Sequence, residues 1–274
     1  MVSQEQRRRQ LAREKFLRQQ QRRTDARRKS RMRNSVIASV LGVIVIGSVA
    51  LYTTGVMKGG DDKKTNAGNQ VSPSPSAPSK APDPCAKPAA GAVKKLSWKK
   101  EPAMTIDTSA NYTLKLATTC GDIGVALKTA AAPHTVNSFD FLAGKGYFDH
   151  TKCHRLTTQG IYVLQCGDPQ GTGMGGPGYT LPDENLKDKS LAKHTYPAGT
   201  VAMANTGQKH TGGSQFFLVY KDSPLPPSYT PFGTVDAAGM KVLQKIAAAG
   251  DSTGQGDGAP NATVVINKAT VTKS

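Results

Sequence analysis

The chain has 274 residues, 37% of them hydrophobic, and a formal net charge of +17, which allows one large domain or two small ones. The charge is uneven: residues 1–34 hold 13 Lys/Arg against three acids, whereas residues 93–274 hold 18 against 13. Most of the basicity belongs to a tail, which makes nucleic acid an unlikely partner, because a nucleic-acid-binding domain carries its charge on the folded face.

The tail, residues 1–34, is rich in Arg and Gln, and its natural partner is the anionic lipid headgroups of a cytoplasmic leaflet. Next, "VIASVLGVIVIGSVALY" (36–52) carries no charge in 17 residues, and "TTGVM" extends it to 22. About 20 helical residues cross a hydrocarbon core of about 30 Å, so residues 35–57 are expected to form a single transmembrane helix. The preceding basic block places the N-terminus in the cytoplasm and the rest outside a plasma membrane. The alternative is a cleaved signal peptide, with Ser48-Val49-Ala50 as its cleavage site and a secreted product. A charged region of 34 residues is long for a signal, so a retained anchor is preferred, and either reading exports the C-terminal part.

Residues 58–92 contain six prolines and almost no large apolar side chain, so they cannot bury enough surface to fold. They are expected to form a disordered, extended spacer of roughly 3 Å per residue. Residues 93–274 have globular composition. "YTLKLAT" and "DIGVALK" alternate apolar and polar residues, and "CHRLT", "IYVLQC", "TVAMAN", "QFFLVY", "PFGTV" and "ATVVINKATV" bring the candidate strands to eight. Two helices fit. One begins at Pro133 with Val136, Phe139 and Leu142 on one face; the other, "AAGMKVLQKIAAAG", carries Met240, Leu243 and Ile246 and stops at Gly250. Many strands with few helices predict a mainly β fold: a closed eight-stranded antiparallel barrel capped by two helices.

Reactive groups are scarce. Cys85, Cys120, Cys153 and Cys166 form no CxxC, and His150 and His154, though four apart, fall in a turn and a strand, so no metal site is expected. Outside the cytoplasm, cysteines more naturally form disulfides. Cys120 and Cys166 could pair, but three full connectivities are possible and buried free thiols remain an alternative. "GTGMGGPGY" has Pro177 and Tyr179 where a phosphate-binding helix should begin, and Ser214 lacks the strand-turn-helix setting of a nucleophile elbow. No cofactor is implied.

What remains is a set of motifs without a nucleophile. "GYFDHTKCHRL", "VLQCGDPQGTGMGGPGY", "VAMANTG", "GGSQFFLVY" and "YTPFGTV" follow one another in that order. Together they resemble cyclophilin-type peptidyl-prolyl isomerases, over roughly residues 106–272. The resemblance implies an eight-stranded barrel with two capping helices and proline-containing polypeptides as substrates. Rotation about an X-Pro bond faces a barrier of about 18–20 kcal/mol because it breaks amide resonance. A fixed donor aimed at the prolyl nitrogen binds the twisted amide better than the planar one, and no covalent step is needed.

By this resemblance Arg155 is the donor and Gln165 orients it, as the catalytic pair. Phe217 forms the floor of a proline pocket, and Tyr162, Val163 and Leu225 form its walls. Asn205 binds the peptide through its main chain, Ala204, Thr206 and Gln215 border the groove, and Tyr229 stands where eukaryotic members often carry a His. His154 is expected to be a structural hydrogen-bonding residue. Nine residues separate Arg155 from Gln165, two more than is usual, so Tyr162 is assigned by counting back from Gln165. Another residue is inserted between Asn205 and Gln215, and Cys153 replaces the usual Phe. Pro224 stands where a Trp helps many members bind cyclosporin, which implies weak binding of that ligand. The rival readings are a non-catalytic proline-peptide-binding module or chaperone at the membrane, and a basic tail that carries the function with the barrel as a passenger.

Overall fold

The computed structural model describes residues 82–273. The basic tail, the apolar segment 35–57 and the first part of the spacer lie outside the described residues. Among the described residues no helix is long and apolar enough to cross a membrane.

Strand β1 (Tyr112–Thr118) and strand β2 (Gly121–Leu127) form an antiparallel hairpin, and their alternation points Tyr112, Leu114 and Leu116 and then Ile123, Val125 and Leu127 inward. Helix α1 (Pro133–Gly144) opens on its proline and buries Val136, Phe139 and Leu142, as its period predicts. Helix α2 (Ala237–Ala248) is capped by Asp236, whose carboxylate accepts from Gly239 N–H at 2.6 Å, and it buries Leu243 and Ile246. The remaining strands are β3 (Thr151–Lys152), β4 (Arg155–Thr157), β5 (Val163–Cys166), β6 (Thr195–Tyr196), β7 (Thr200–Met203), β8 (Phe216–Val219), β9 (Ser223–Pro224), β10 (Pro231–Val235), β11 (Asp257–Gly258) and β12 (Val265–Lys273).

Ten strands form one antiparallel sheet in the order β11-β4-β5-β8-β7-β10-β2-β1-β12-β3, and β6 pairs with β9 apart from it. The sheet curls, but its ladder is open at β3 and β11, which corrects the closed eight-stranded barrel expected from the sequence. The reason lies at Cys153 and His154, where one run of chain changes partner. The Cys153 N–H donates to Val264 O and the His154 N–H to Gln165 O, next to opposite ends of the sheet. The chain itself, and not a pair of strands, joins those ends.

Two apolar clusters flank the sheet. Leu114, Leu116, Phe139, Phe148, Phe216, Leu218 and Phe232 belong to the main core, where Phe139 meets Phe148, Phe216 and Phe232 at centroid distances of 5.2, 5.4 and 4.5 Å. Val163, Leu191, Tyr196, Ala202, Phe217 and Val219 form a smaller cluster. Every residue of β7 and β8 is buried, because alternate side chains serve the two clusters. The smaller cluster is the one that matters for the site.

The cysteines form Cys85–Cys120 and Cys153–Cys166, so the pairing of Cys120 with Cys166 is not the one adopted. The first bond ties down residues that the sequence assigns to the spacer. Ala86 N–H also donates to Thr119 O, and Ala89 N–H to Asn267 Oδ1. From Asp83 onward the chain therefore belongs to the fold, because a covalent link supplies the attachment that its composition lacks.

Candidate active site

The strand register builds the site. Arg155 on β4 stands opposite Gln165 on β5, Gln165 opposite Phe217 on β8, and Phe217 opposite Ala202 on β7. Directly opposed residues share a sheet face, so Arg155, Gln165 and Phe217 form one row across the strands.

Side-chain hydrogen bonds fix the polar half of this row. Asp257 accepts from Arg155 Nε and Nη2, each at 2.7 Å. Arg155 Nη1 donates to Gln165 Oε1 at 3.3 Å, Gln165 Nε2 to Gln215 Oε1 at 2.9 Å, and Gln215 Nε2 to Gly175 O at 2.9 Å. These bonds set the orientation of both amides, because each oxygen accepts and each nitrogen donates. A guanidinium has five N–H groups, and one on Nη1 and one on Nη2 are left for another acceptor. The hydrogen bond to Asp257 raises the Arg155 pKa despite partial burial, and the same bond lowers that of Asp257.

The apolar half surrounds Phe217. Tyr229 meets the Phe217 ring edge-on at 5.5 Å, and Tyr196 lies at 6.2 Å. Tyr196 OH donates to Tyr229 O at 2.7 Å and accepts from Tyr229 N–H at 3.1 Å, which holds the loop after β9 over the cluster. Val163 and Leu225 pack in this cluster. Tyr162 does not: its ring meets Tyr220 at 6.0 Å and Lys221 Nζ at 4.4 Å. Ile161 packs on the cluster instead. The cause is strand parity, since Ile161, Val163 and Gln165 are spaced by two and Tyr162 falls between them.

The groove residues sit beyond β7. Ala204 N–H donates to Gln215 O at 2.9 Å, and Thr206 N–H and Oγ1 both bond Thr211 Oγ1. Asn205 Nδ2 donates to Ser228 O at 2.8 Å and its Oδ1 accepts from Gly207 N–H, so its side chain is occupied in holding the loop. Beside Gln165 and Gln215 a cavity of about 940 Å³ opens, walled by Ala204, Asn205, Thr206, the glycine-rich loop and residues 99–101.

Two residues not anticipated from sequence organise this region. Asp257 is one. The other is Asp168, which is fully buried and accepts from the N–H groups of Gln170, Thr172 and Gly173 at 2.7, 2.9 and 2.6 Å. Burial pushes its carboxyl up, but hydrogen bonds from Gln170, Gly175, Thr172 and Gly173 outweigh burial and hold it below the usual range. Gly175 must be glycine, because a Cβ there would come within 1.9 Å of Asp168 Oδ1. The signal available in the sequence is an aspartate next to a glycine, "GDP" and "GDG", which reads as a turn.

His154 departs from expectation. Both ring nitrogens are buried and neither has a hydrogen-bond partner among the described residues. Burial lowers its pKa, with Asp168 opposing and Arg155 reinforcing the shift. Among the described residues no group of three His, Cys, Asp or Glu side chains is placed to hold a metal ion.

A curled antiparallel sheet with two helices and a guanidinium–amide–phenyl row on one face defines a class. The family model described as cyclophilin type peptidyl-prolyl cis-trans isomerase/CLD matches residues 113–271, more than half of the chain, and the chain belongs to that family. It is 47% identical over 210 residues to the probable peptidyl-prolyl cis-trans isomerase B of Mycobacterium leprae, covering 74% of this chain and 66% of that protein. It is 48% identical over 165 residues to the protein of the same description from Mycobacterium tuberculosis, covering 57% and 53%. The chain thus spans between about half and two thirds of the length of these curated relatives. A solved cyclophilin type isomerase from Cryptosporidium parvum superposes with a TM-score of 0.50 at 25% identity, over 60% of this chain and 99% of its own.

Proposed function

We propose that this protein is a peptidyl-prolyl cis-trans isomerase acting on X-Pro bonds of exported polypeptides. The observation that carries the reading is the row of Arg155, Gln165 and Phe217 across three paired strands. Phe217 and its neighbours take the proline ring. The main-chain N–H and C=O of Asn205, which carry no hydrogen bond among the described residues, hold the peptide backbone. With two edges of its guanidinium fixed, Arg155 directs a remaining N–H at the prolyl nitrogen as that atom becomes pyramidal and regains its lone pair. That bond is stronger in the transition state than in the planar ground state, which is the condition for catalysis. Each gain of about 1.36 kcal/mol is worth tenfold in rate.

The test is a protease-coupled assay on an Ala-Pro-Phe peptide, comparing the wild-type protein with Arg155→Ala. Turnover that collapses in the variant supports the enzyme. Binding of the peptide without turnover by the wild type favours a proline-binding module or chaperone.

The same proposal places the domain outside the plasma membrane, anchored by residues 35–57 with the basic tail against anionic lipid in the cytoplasm. Two features support it: the uncharged segment follows a basic block, and all four cysteines pair, as oxidising compartments favour. Protease added to intact cells would digest the domain and leave the tail protected. A product free in the medium would favour the secreted alternative.

A further inference from the structure

Residues 83–107 precede the stretch matched by the family model, yet they form a strap fastened to the fold. Cys85 bonds Cys120, Trp98 N–H donates to Pro177 O at 2.8 Å, and Asn137 bonds both Thr105 N–H and Ala103 O. Trp98 stands edge-on to Phe141 at 5.1 Å. The strap and the glycine-rich loop approach so closely that a Cβ on Gly178 would lie 2.3 Å from Ser97 Oγ and 2.6 Å from Trp98 O. The two residues that follow Trp98, Lys99 and Lys100, are thereby set at the cavity of about 940 Å³ whose walls include Gln165 and Gln215.

The electrostatics of that cavity come from the strap. Its other walls are glycines, amides, hydroxyls and apolar groups, without a formal charge. Lys99 and Lys100 are exposed, and neither is ion-paired among the described residues. Glu101, the single acid in the lining, is directed to His134 Nδ1 at 3.4 Å. Gln165 belongs both to the cavity and to the row beside Phe217. A peptide with its proline on Phe217 therefore carries neighbouring side chains past the cavity, since residues two apart in an extended chain lie about 7 Å apart on one side.

We infer that this cavity is a substrate subsite selective for an acidic side chain close to the X-Pro bond, with Lys99 and Lys100 as the selecting charges. The inference rests on the isomerase reading and deepens it by naming a substrate class. Exposed ion pairs are individually weak and screened by salt, so the expected preference is about threefold to tenfold at low ionic strength.

The test measures kcat/KM by NMR exchange on the full-length protein. The peptides differ only in Glu, Gln or Lys at the second residue before or after the proline. The expected result is that Glu is preferred on one side of the proline, that the Glu:Gln ratio shrinks as salt is added, and that it reverses in favour of the Lys peptide in Lys99→Glu/Lys100→Glu. A ratio near one in the wild type, or a Glu preference that survives the charge reversal, overturns the subsite. If no peptide were turned over, the isomerase reading would fail, and the same ratios read by calorimetric binding would still decide the subsite.

Discussion

Asp257 holds Arg155 from the side, with one carboxylate oxygen on Nε and the other on Nη2, both at 2.7 Å. The aspartate lies on β11, two residues along the register from the position opposite Arg155, since Asp257 pairs with Thr157. Diagonal neighbours at such a spacing are within reach of a long side chain. The bidentate fork fixes the plane of the guanidinium, with Nη1 turned to Gln165 and one N–H on each of Nη1 and Nη2 left over.

Asp257→Asn is therefore expected to lower kcat/KM by roughly tenfold, the cost of about 1.4 kcal/mol of lost orientation. Asp257→Glu should recover part of the loss. In an Arg155→Lys background, where no fork can form, the second substitution should add little; equal losses in both backgrounds would show that Asp257 does not act through Arg155.

The same pair sets a pH dependence. Folding lowers the Asp257 pKa, so the clamp is fully present above the ordinary aspartate value of about 3.9 and is lost as pH falls through the lower folded value. Between pH 8 and pH 5 the rate profile should be flat with respect to this group. A rise in activity across that window would have to come from another residue.

His154 should make stability depend on pH in a different window. Its folded pKa lies below the ordinary value of about 6.5, so below that pH the unfolded chain binds the proton more readily than the folded one. Unfolding free energy then rises with pH in that window and falls as the solution is acidified below about 6.5. Urea titrations between pH 5 and pH 8 should show this slope, and His154→Phe should flatten it.

Phe217→Ala removes the ring that the proposed function sets against the substrate proline. Peptide affinity should fall steeply, while Phe217→Leu should retain part of it. Because Phe217 is 5% exposed and packs on Tyr229 and Tyr196, the alanine variant should also lose about 3 kcal/mol of stability, readable by thermal unfolding.

The Cys153–Cys166 bond joins the link that precedes Arg155 to the last residue of the strand that carries Gln165, across a sequence separation of 13. Closing a loop of that size stabilises by about 3 kcal/mol in the chain-entropy account. Cys153→Ser/Cys166→Ser should show a loss of that order in urea. An unchanged midpoint would assign the local rigidity to the strand pairing alone.

The local pattern of the chain was informative wherever one periodicity governed. The β1–β2 hairpin and both helices follow from alternation, from Pro133 and from Gly250. Open closure of the sheet was not legible, because "CHRLT" reads as one strand while its first two amides serve two partners. Tyr162 was misplaced for a related reason: counting along a motif fixes sequence position, whereas facing depends on parity, and parity favours Ile161. The acids that orient the site escaped notice because an aspartate beside glycine carries the same signature whether it makes a turn or clamps a guanidinium. The strap was hidden by its composition, since residues 83–92 lack the apolar side chains that announce a fold and are held instead by Cys85 and backbone bonds.

One consequence of the sheet order concerns the timing of folding. β1 has β2 on one edge and β12 on the other, and the β12 register runs from Tyr112 opposite Lys273 to Thr118 opposite Ile266. The outer edge of β1 therefore stays uncovered until β12, about 150 residues further along, is available. Pairings so distant in sequence slow folding, and an open strand edge is a template for association with other chains. The sheet cannot be completed before β12 is available. The interval before β12 docks is when the domain is most exposed to aggregation.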